Sequence, residues 1–272
     1  SYIMHEVTIP DPEGRLEARY NQGKGHGPPL AILLHPHPKF GGNMNNKVIY
    51  NCFKTLSEVG LSVLRFNYRG VGNSEGSYSG DEGIGEMTDS ACALDWLLFN
   101  NTASTKVWVI GFSFGAFISL NLLMRRPEIQ GFIAISPPAD KYDFSFLAPC
   151  PVSGLIIQGD NDDIVNETDV ALFANKLDSQ KAITVKYKKI KNADHFFTDK
   201  LTLVSDEIRK YVQKNPDFSH ISNEELEAKL ISFAKEKMAP YKVPKIIEFI
   251  DEMPLTGVGK VDKKVLRAKN RS

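Results

Sequence analysis

Charge of one sign is what this 272-residue chain conspicuously lacks: 33 Lys and Arg offset 33 Asp and Glu, leaving a formal net charge of zero. A balance of that kind argues against nucleic acid or an anionic membrane as the partner, because both recruit basic surfaces. Long apolar runs are missing too. None approaches the roughly 20 residues that cross a bilayer, and the opening S-Y-I-M-H-E-V lacks the basic, apolar, small-residue order of a secretory signal. A cytoplasmic protein is therefore expected. Cysteine is scarce: Cys52, Cys92 and Cys150 are odd in number, widely spaced and without a C-x-x-C pair. They read as reduced, packed thiols rather than as zinc or redox ligands. What remains is a globular composition, 42% hydrophobic and 24% charged, with length enough for one domain and a small appendage.

From Glu6 to about Ile190, short apolar runs alternate with polar or Gly-rich turns and helical patterns. Strands are expected at 6–10, 17–22, 30–35, 62–68, 106–111, 131–136, 153–158 and 184–190. Runs such as L-A-I-L-L and V-W-V-I have no polar alternate residue, so both faces of those strands must be covered. Helices are expected at 47–59, 86–99, 114–125, 167–177 and 197–213. The fold class is α/β, a mostly parallel sheet with helices on both faces.

Beyond Val212 the texture changes to Q-K-N-P-D-F-S-H. A helix opens at the capping-box pair Ser222 and Glu225, presents Leu226, Leu230, Phe233, Ala234 and Met238 on one face, and stops at Pro240. A strand-like run at 245–252 and a basic tail follow. The expected division is a main domain over 1–215 and a small α+β appendage over 216–272, too short for much of a core of its own.

Chemistry gathers at K-V-W-V-I-G-F-S-F-G-A-F-I-S-L, where G-x-S-x-G at 111–115 lies between an apolar strand and an apolar helix. That context describes a tight turn with Ser113 strained at its apex; Gly111 and Gly115 stand where side chains would collide as the elements close. The helix that follows places partial positive charge by the hydroxyl. A serine nucleophile needs a base, and the base an orienting carboxylate. His195, in K-N-A-D-H-F-F-T after the last strand and before a terminal helix, supplies the base; Asp160, Asp162 and Asp163 all follow the strand S-G-L-I-I-Q-G and all could supply the acid. Serine, acid, then histidine is the chain order of one hydrolase architecture. His35 and His37 stand two apart without a third ligand nearby and read as structural; G-V-G-N-S-E-G has the wrong spacing for a dinucleotide loop, so Arg69 and Ser74 are expected to organise that turn.

Together L-L-H-P-H-P-K-F-G-G-N-M-N-N-K-V (33–48), R-F-N-Y-R-G-V-G-N-S-E-G (65–76), G-F-S-F-G, G-D-N-D-D-I-V and A-D-H-F-F resemble the small, lidless α/β-hydrolases related to dienelactone hydrolase. The resemblance spans nearly all of 5–213 and implies a Ser-His-Asp hydrolase. Its G-x-x-D-x-x-V pattern falls on Gly159, Asp162 and Val165, which selects Asp162 as the acid. It further implies an oxyanion hole at the backbone N–H of Phe114 and a second N–H in the loop after the third strand. There H-P-H replaces the common H-G-x, so His37 is the expected donor, Pro36 and Pro38 having no N–H to give.

The C-terminal segment is similar to the end of the C-terminal domain of acyl-CoA synthetases and other AMP-binding enzymes, through Y-K-V-P-K (241–245), E-F-I-D-E-M-P (248–254) and T-G-V-G-K (256–260). In that family the lysine matching Lys260 contacts an adenylate. With the large nucleotide-binding domain absent, adenylation is not expected and the segment reads as a remnant. The functional expectation is hydrolysis of a small-molecule carboxylic ester or thioester, with no cofactor and no metal, at an open site lacking a cap between Pro137 and Pro149. Its rival is a non-catalytic scaffold that meets an acyl-CoA synthetase through the appendage; a homo-oligomer is left open.

Overall fold

The computed structural model describes residues 4–216, 230–236, 246–249 and 266–269. Eight strands, β1 (Met4–Asp11), β2 (Gly14–Asn21), β3 (Leu30–Leu34), β4 (Ser62–Phe66), β5 (Val107–Phe112), β6 (Ile129–Ile135), β7 (Gly154–Gly159) and β8 (Val185–Ile190), form one sheet in the order β1-β2-β4-β3-β5-β6-β7-β8. β1 and β2 pair antiparallel, as do β2 and β4; every pairing from β4 through β3 to β8 is parallel. The helices α1 (Lys47–Glu58), α2 (Ile84–Phe99), α3 (Phe114–Arg125) and α4 (Glu167–Asp178) connect parallel strands, and α5 (Leu201–Lys214) follows β8.

The unbroken apolar runs find two separate interiors. In β3, Leu30, Ile32 and Leu34 enter a core shared with α2, α3 and α4, while Ala31 and Leu33 enter a second core shared with α1 and α5. β5 divides in the same way, Val109 to one side and Trp108, Ile110 and Phe112 to the other. This is the period-two consequence of a pleated strand with no wet face. Between α1 and α5, Ser205 accepts hydrogen bonds from Asn51 (2.8 Å) and Thr55 (2.9 Å). At the sheet edge, β8 turns Lys186, Lys188 and Lys189 to solvent, a charge pattern that discourages another strand from pairing there.

Two expectations are corrected. The terminal helix begins at Leu201 rather than 197, because Phe197 and Asp199 both have positive φ (53° and 60°) and no helix can run through them. Asp194 accepts from the Thr198 amide and hydroxyl, forming a local turn that imitates a helix cap in the sequence. In the appendage, residues 230–236 are helical, yet Phe233 is 59% exposed while Ala234 is buried. The continuous buried face expected there does not include Phe233; Leu226 and Met238 lie outside the described residues. So do Lys260 and half of the 245–252 run, of which Ile246–Phe249 pairs antiparallel with Leu266–Lys269. The three cysteines are free, Cys52 and Cys150 being buried.

Candidate active site

β5 ends where its apolar run meets Gly111-Phe112-Ser113, and α3 starts one residue later. Ser113 takes φ 56° and ψ −121°, a left-handed strain that a non-glycine residue adopts only when its surroundings enforce it. The flanking glycines explain the enforcement. A Cβ on Gly111 would sit 2.2 Å from the carbonyl oxygen of Gly115, and one on Gly115 would sit 2.1 Å from that of Leu34. The second contact ties α3 to the end of the neighbouring strand β3, which the sequence alone does not reveal. Ser113 makes no side-chain cap for α3, so its hydroxyl is turned elsewhere.

It is turned to His195. The loop after β8 carries Asn192 at φ 60° and brings His195 Nε2 to 3.0 Å from Ser113 Oγ; His195 Nδ1 lies 2.7 Å from Asp162 Oδ2. Asp162 is fully enclosed and His195 is 3% exposed. Asp162 Oδ1 accepts from the amides of Ile164 and Val165, each at 2.8 Å. Burial works to raise the Asp162 carboxyl, but the hydrogen bonds from His195 and from those amides outweigh it and hold the group below the ordinary carboxylate value. Its partner geometry fixes the ring with Nδ1–H toward the carboxylate and Nε2 toward the serine. Asp160 is used differently: Oδ1 accepts from the Asn192 amide at 2.6 Å, bracing the loop that carries His195. Among the three aspartates, only Asp162 touches the histidine.

The sequence reading missed several supports. Gln158 is fully buried in β7 and donates to Asp162 Oδ2 at 3.0 Å; a lone amide in the apolar run L-I-I-Q-G was the available signal. Ser136, at φ 49°, donates to the His195 carbonyl at 3.1 Å. Phe112 and Phe196 both pack on the imidazole, with ring centroids at 5.2 and 5.0 Å, and touch each other at 5.8 Å. Ser136 lies in none of the motifs, and Phe112 and Phe196 fall within G-F-S-F-G and A-D-H-F-F, neither of which signals a contact with the imidazole.

The loop after β3 supplies the opposite wall. His35 is buried, with Nδ1 donating to the Pro36 carbonyl at 2.7 Å and Nε2 accepting from the Tyr68 amide at 3.2 Å, so both nitrogens serve the backbone. His37 instead lays its ring on Phe114, centroids 4.6 Å apart, and accepts from the Lys39 amide. Burial and the nearby Lys39 lower its pKa from the ordinary histidine value. His37 and Phe114 thus flank Ser113 at the wall of one cavity. Arg69 grips Asp89 through three side-chain contacts of 2.8–3.2 Å, and Ser74 bridges the Glu17 amide and the Asn67 carbonyl, so both residues organise their turn.

The cavity over Ser113 encloses about 400 Å³. Its mouth is apolar: Phe40 is 87% exposed, and Ile164 and Phe196 are also half-open to solvent. Among the residues that line it, Lys141 is the only one with a permanent charge, and no carboxylate is present. Residues 137–149 fold back as a short connection with a single 3-10 turn, Ser145–Leu147. Among the described residues no helix is long and apolar enough to cross a membrane, and no group of three metal-ligating side chains gathers.

Comparison with known proteins follows this geometry. Residues 210–260 match the AMP-binding enzyme C-terminal domain. An uncharacterized protein of Rickettsia prowazekii is 50% identical over 213 residues, which is 77% of this chain and 89% of that protein. A protein of unknown function from Agrobacterium tumefaciens, described with its structure as a putative α/β hydrolase, is similar at 47% identity and TM-score 0.74, covering 77% of this chain and 95% of its own. A Xanthomonas campestris α/β serine hydrolase without a lid is 33% identical at TM-score 0.68, covering 78% and 94%. Residues 24–224 match the X-Pro dipeptidyl-peptidase (S15 family) profile, and over that span the chain belongs to this family of α/β-fold hydrolases.

Proposed function

We propose that the protein hydrolyses a carboxylic ester or thioester through an acyl-enzyme on Ser113. The observation that carries this reading is the unbroken hydrogen-bonded chain from Asp162 through His195 to Ser113, with the serine strained at the floor of an apolar cavity. Ser113 Oγ attacks the carbonyl carbon as its proton passes to His195 Nε2; the imidazolium is steadied by Asp162 and returns the proton to the departing alcohol or thiol. Water then repeats the sequence on the acyl-enzyme, releasing the acid and restoring the serine. The developing oxyanion is assigned to the amides of Phe114 and His37, the first of these also lying at the positive end of α3. No step requires a cofactor or a metal ion.

The family name raises a peptidase reading, in which a dipeptide is removed from a free N-terminus. Such a substrate carries an ammonium group close to the scissile bond, and burying it without a counter-ion is costly. The cavity lining offers Lys141 and no carboxylate, which favours a neutral ester. The test is labelling by a fluorophosphonate probe together with turnover of p-nitrophenyl esters and of X-Pro p-nitroanilides. Ser113→Ala should abolish labelling and lower ester turnover by about 10⁴–10⁶. Retained turnover in that variant, or a preference for the anilides, would sink the esterase reading.

A further inference from the structure

A second cavity, of about 590 Å³, lies beside the first, between the 137–149 connection and α4. Tyr142 lines both. Aromatic packing links the two: Phe114 of the first cavity meets Tyr142 with centroids 6.0 Å apart; behind the lining Phe117 stacks on Tyr142 at 4.4 Å and meets Phe144 of the second cavity at 5.6 Å; and Phe144 meets Phe173 at 4.7 Å. Leu147, Leu172 and Leu177 complete an apolar lining, and Leu172 is 63% exposed. Leu172 is the exposed member of a contiguous apolar lining that includes Phe144, Leu147, Phe173 and Leu177, and it is the contiguity of that patch that suits a hydrocarbon occupant. The lining also carries Asp143, Asp169 and Lys176, charges of both signs with the carboxylates in excess, so it offers no site for an anionic headgroup.

We propose that this groove is an extended subsite that takes the distal hydrocarbon end of the ester, with Tyr142 at the junction. The substrate class then narrows to esters with a chain or aryl group too long for the catalytic cavity alone. The inference rests on the hydrolytic reading above. It is supported by continuity, since the groove shares a side chain with the cavity that contains Ser113. Each methylene that leaves water for such a groove gains about fourfold in specificity.

The experiment compares kcat/KM for acetate and octanoate p-nitrophenyl esters, and for ethyl and octyl acetates, in the wild-type protein and in Leu172→Glu. Leu172 is mostly exposed, and a glutamate there stands four residues before Lys176 on the same helix face, so the variant should fold. The long substrate should be favoured at least tenfold in one of the two series, and Leu172→Glu should cut that ratio at least fivefold through KM. The series that responds tells whether the groove holds the acyl or the alcohol side. Tyr142→Ala should move the preference toward bulkier groups. A protein that labels at Ser113 yet shows no length preference, or a preference unchanged in Leu172→Glu, overturns the subsite alone. Absence of both labelling and turnover overturns the hydrolytic reading and this inference with it.

Discussion

At the scale of single residues, the loop after β7 separates three carboxylates that are chemically equivalent in sequence. Asp162 is enclosed and points at His195, whereas Asp160 holds the Asn192 amide. Asp162→Asn should therefore impair turnover severely, because it removes the charge that steadies the imidazolium and admits the wrong ring tautomer. Asp163→Asn should be mild. Asp160→Asn should fall between them, acting through the loop rather than the chemistry. Steady-state kinetics on the three variants decides the order, and a larger loss in Asp160→Asn would move the acid elsewhere. Ser113 and His195 were legible as candidates because each sits in a short local motif beside a strand end, whereas the residues alone left Asp160, Asp162 and Asp163 open and only the family resemblance selected Asp162. Gln158, Ser136, Phe112 and Phe196 were not legible, since their roles arise where β5, β6, β7 and the His195 loop meet in space.

At the scale of elements, the turn between β5 and α3 depends on an approach closer than any side chain permits. Gly115→Ala would set a Cβ against the Leu34 carbonyl, and backbone on both sides leaves it nowhere to go. A loss of about 3 kcal/mol or more is expected from the forced separation, together with displacement of Ser113. Denaturant midpoints read the first effect and probe labelling the second; an alanine variant of unchanged stability would contradict the packing described. A smaller effect is expected at the start of α4, where Asn166 accepts from the Thr168 amide at 2.9 Å. Asn166→Ala should cost about 1 kcal/mol. All eight strands and five helices of the main sheet were readable from apolar runs and helical spacing. The start of α5 was not, because positive φ at Phe197 and Asp199 is set by how the loop closes over His195 and leaves no mark in residues that usually avoid that conformation.

For the whole molecule, acid stability should carry the signature of His35. Burial drives its pKa from 6.5 down to about 3, with the Pro36 carbonyl opposing and His37 assisting. Between those values the unfolded chain binds a proton that the folded one refuses, so stability falls as pH drops below 6.5. The contribution from this group is about 2 kcal/mol between pH 6.5 and pH 5. His35→Gln should be less stable at neutral pH and show a flatter decline, as read from urea midpoints at several pH values; parallel slopes would remove His35 from the account. The C-terminal segment gives a separate test of independence. Lys260→Ala should leave ester hydrolysis unchanged, since the mechanism proposed at Ser113 calls on no side chain beyond the three that are hydrogen-bonded together. ATP-dependent pyrophosphate exchange lost in the same variant would show that the segment has chemistry of its own.

The three side chains of the proposed triad are not equally anchored. Ser113 follows β5, which is flanked on both sides by paired strands, whereas His195 hangs on the loop after β8, the lysine-bearing edge of the sheet. Edge strands have one ladder of hydrogen bonds to lose, and their loops open at lower free energy than the interior. Inactivation should therefore run ahead of unfolding. In a urea titration, hydrolysis should fail at a lower concentration than far-ultraviolet dichroism, and amide hydrogens of β8 and the 191–200 loop should exchange faster than those of β5. The protein would then pass through a state that keeps its nucleophile in place but has misplaced its base.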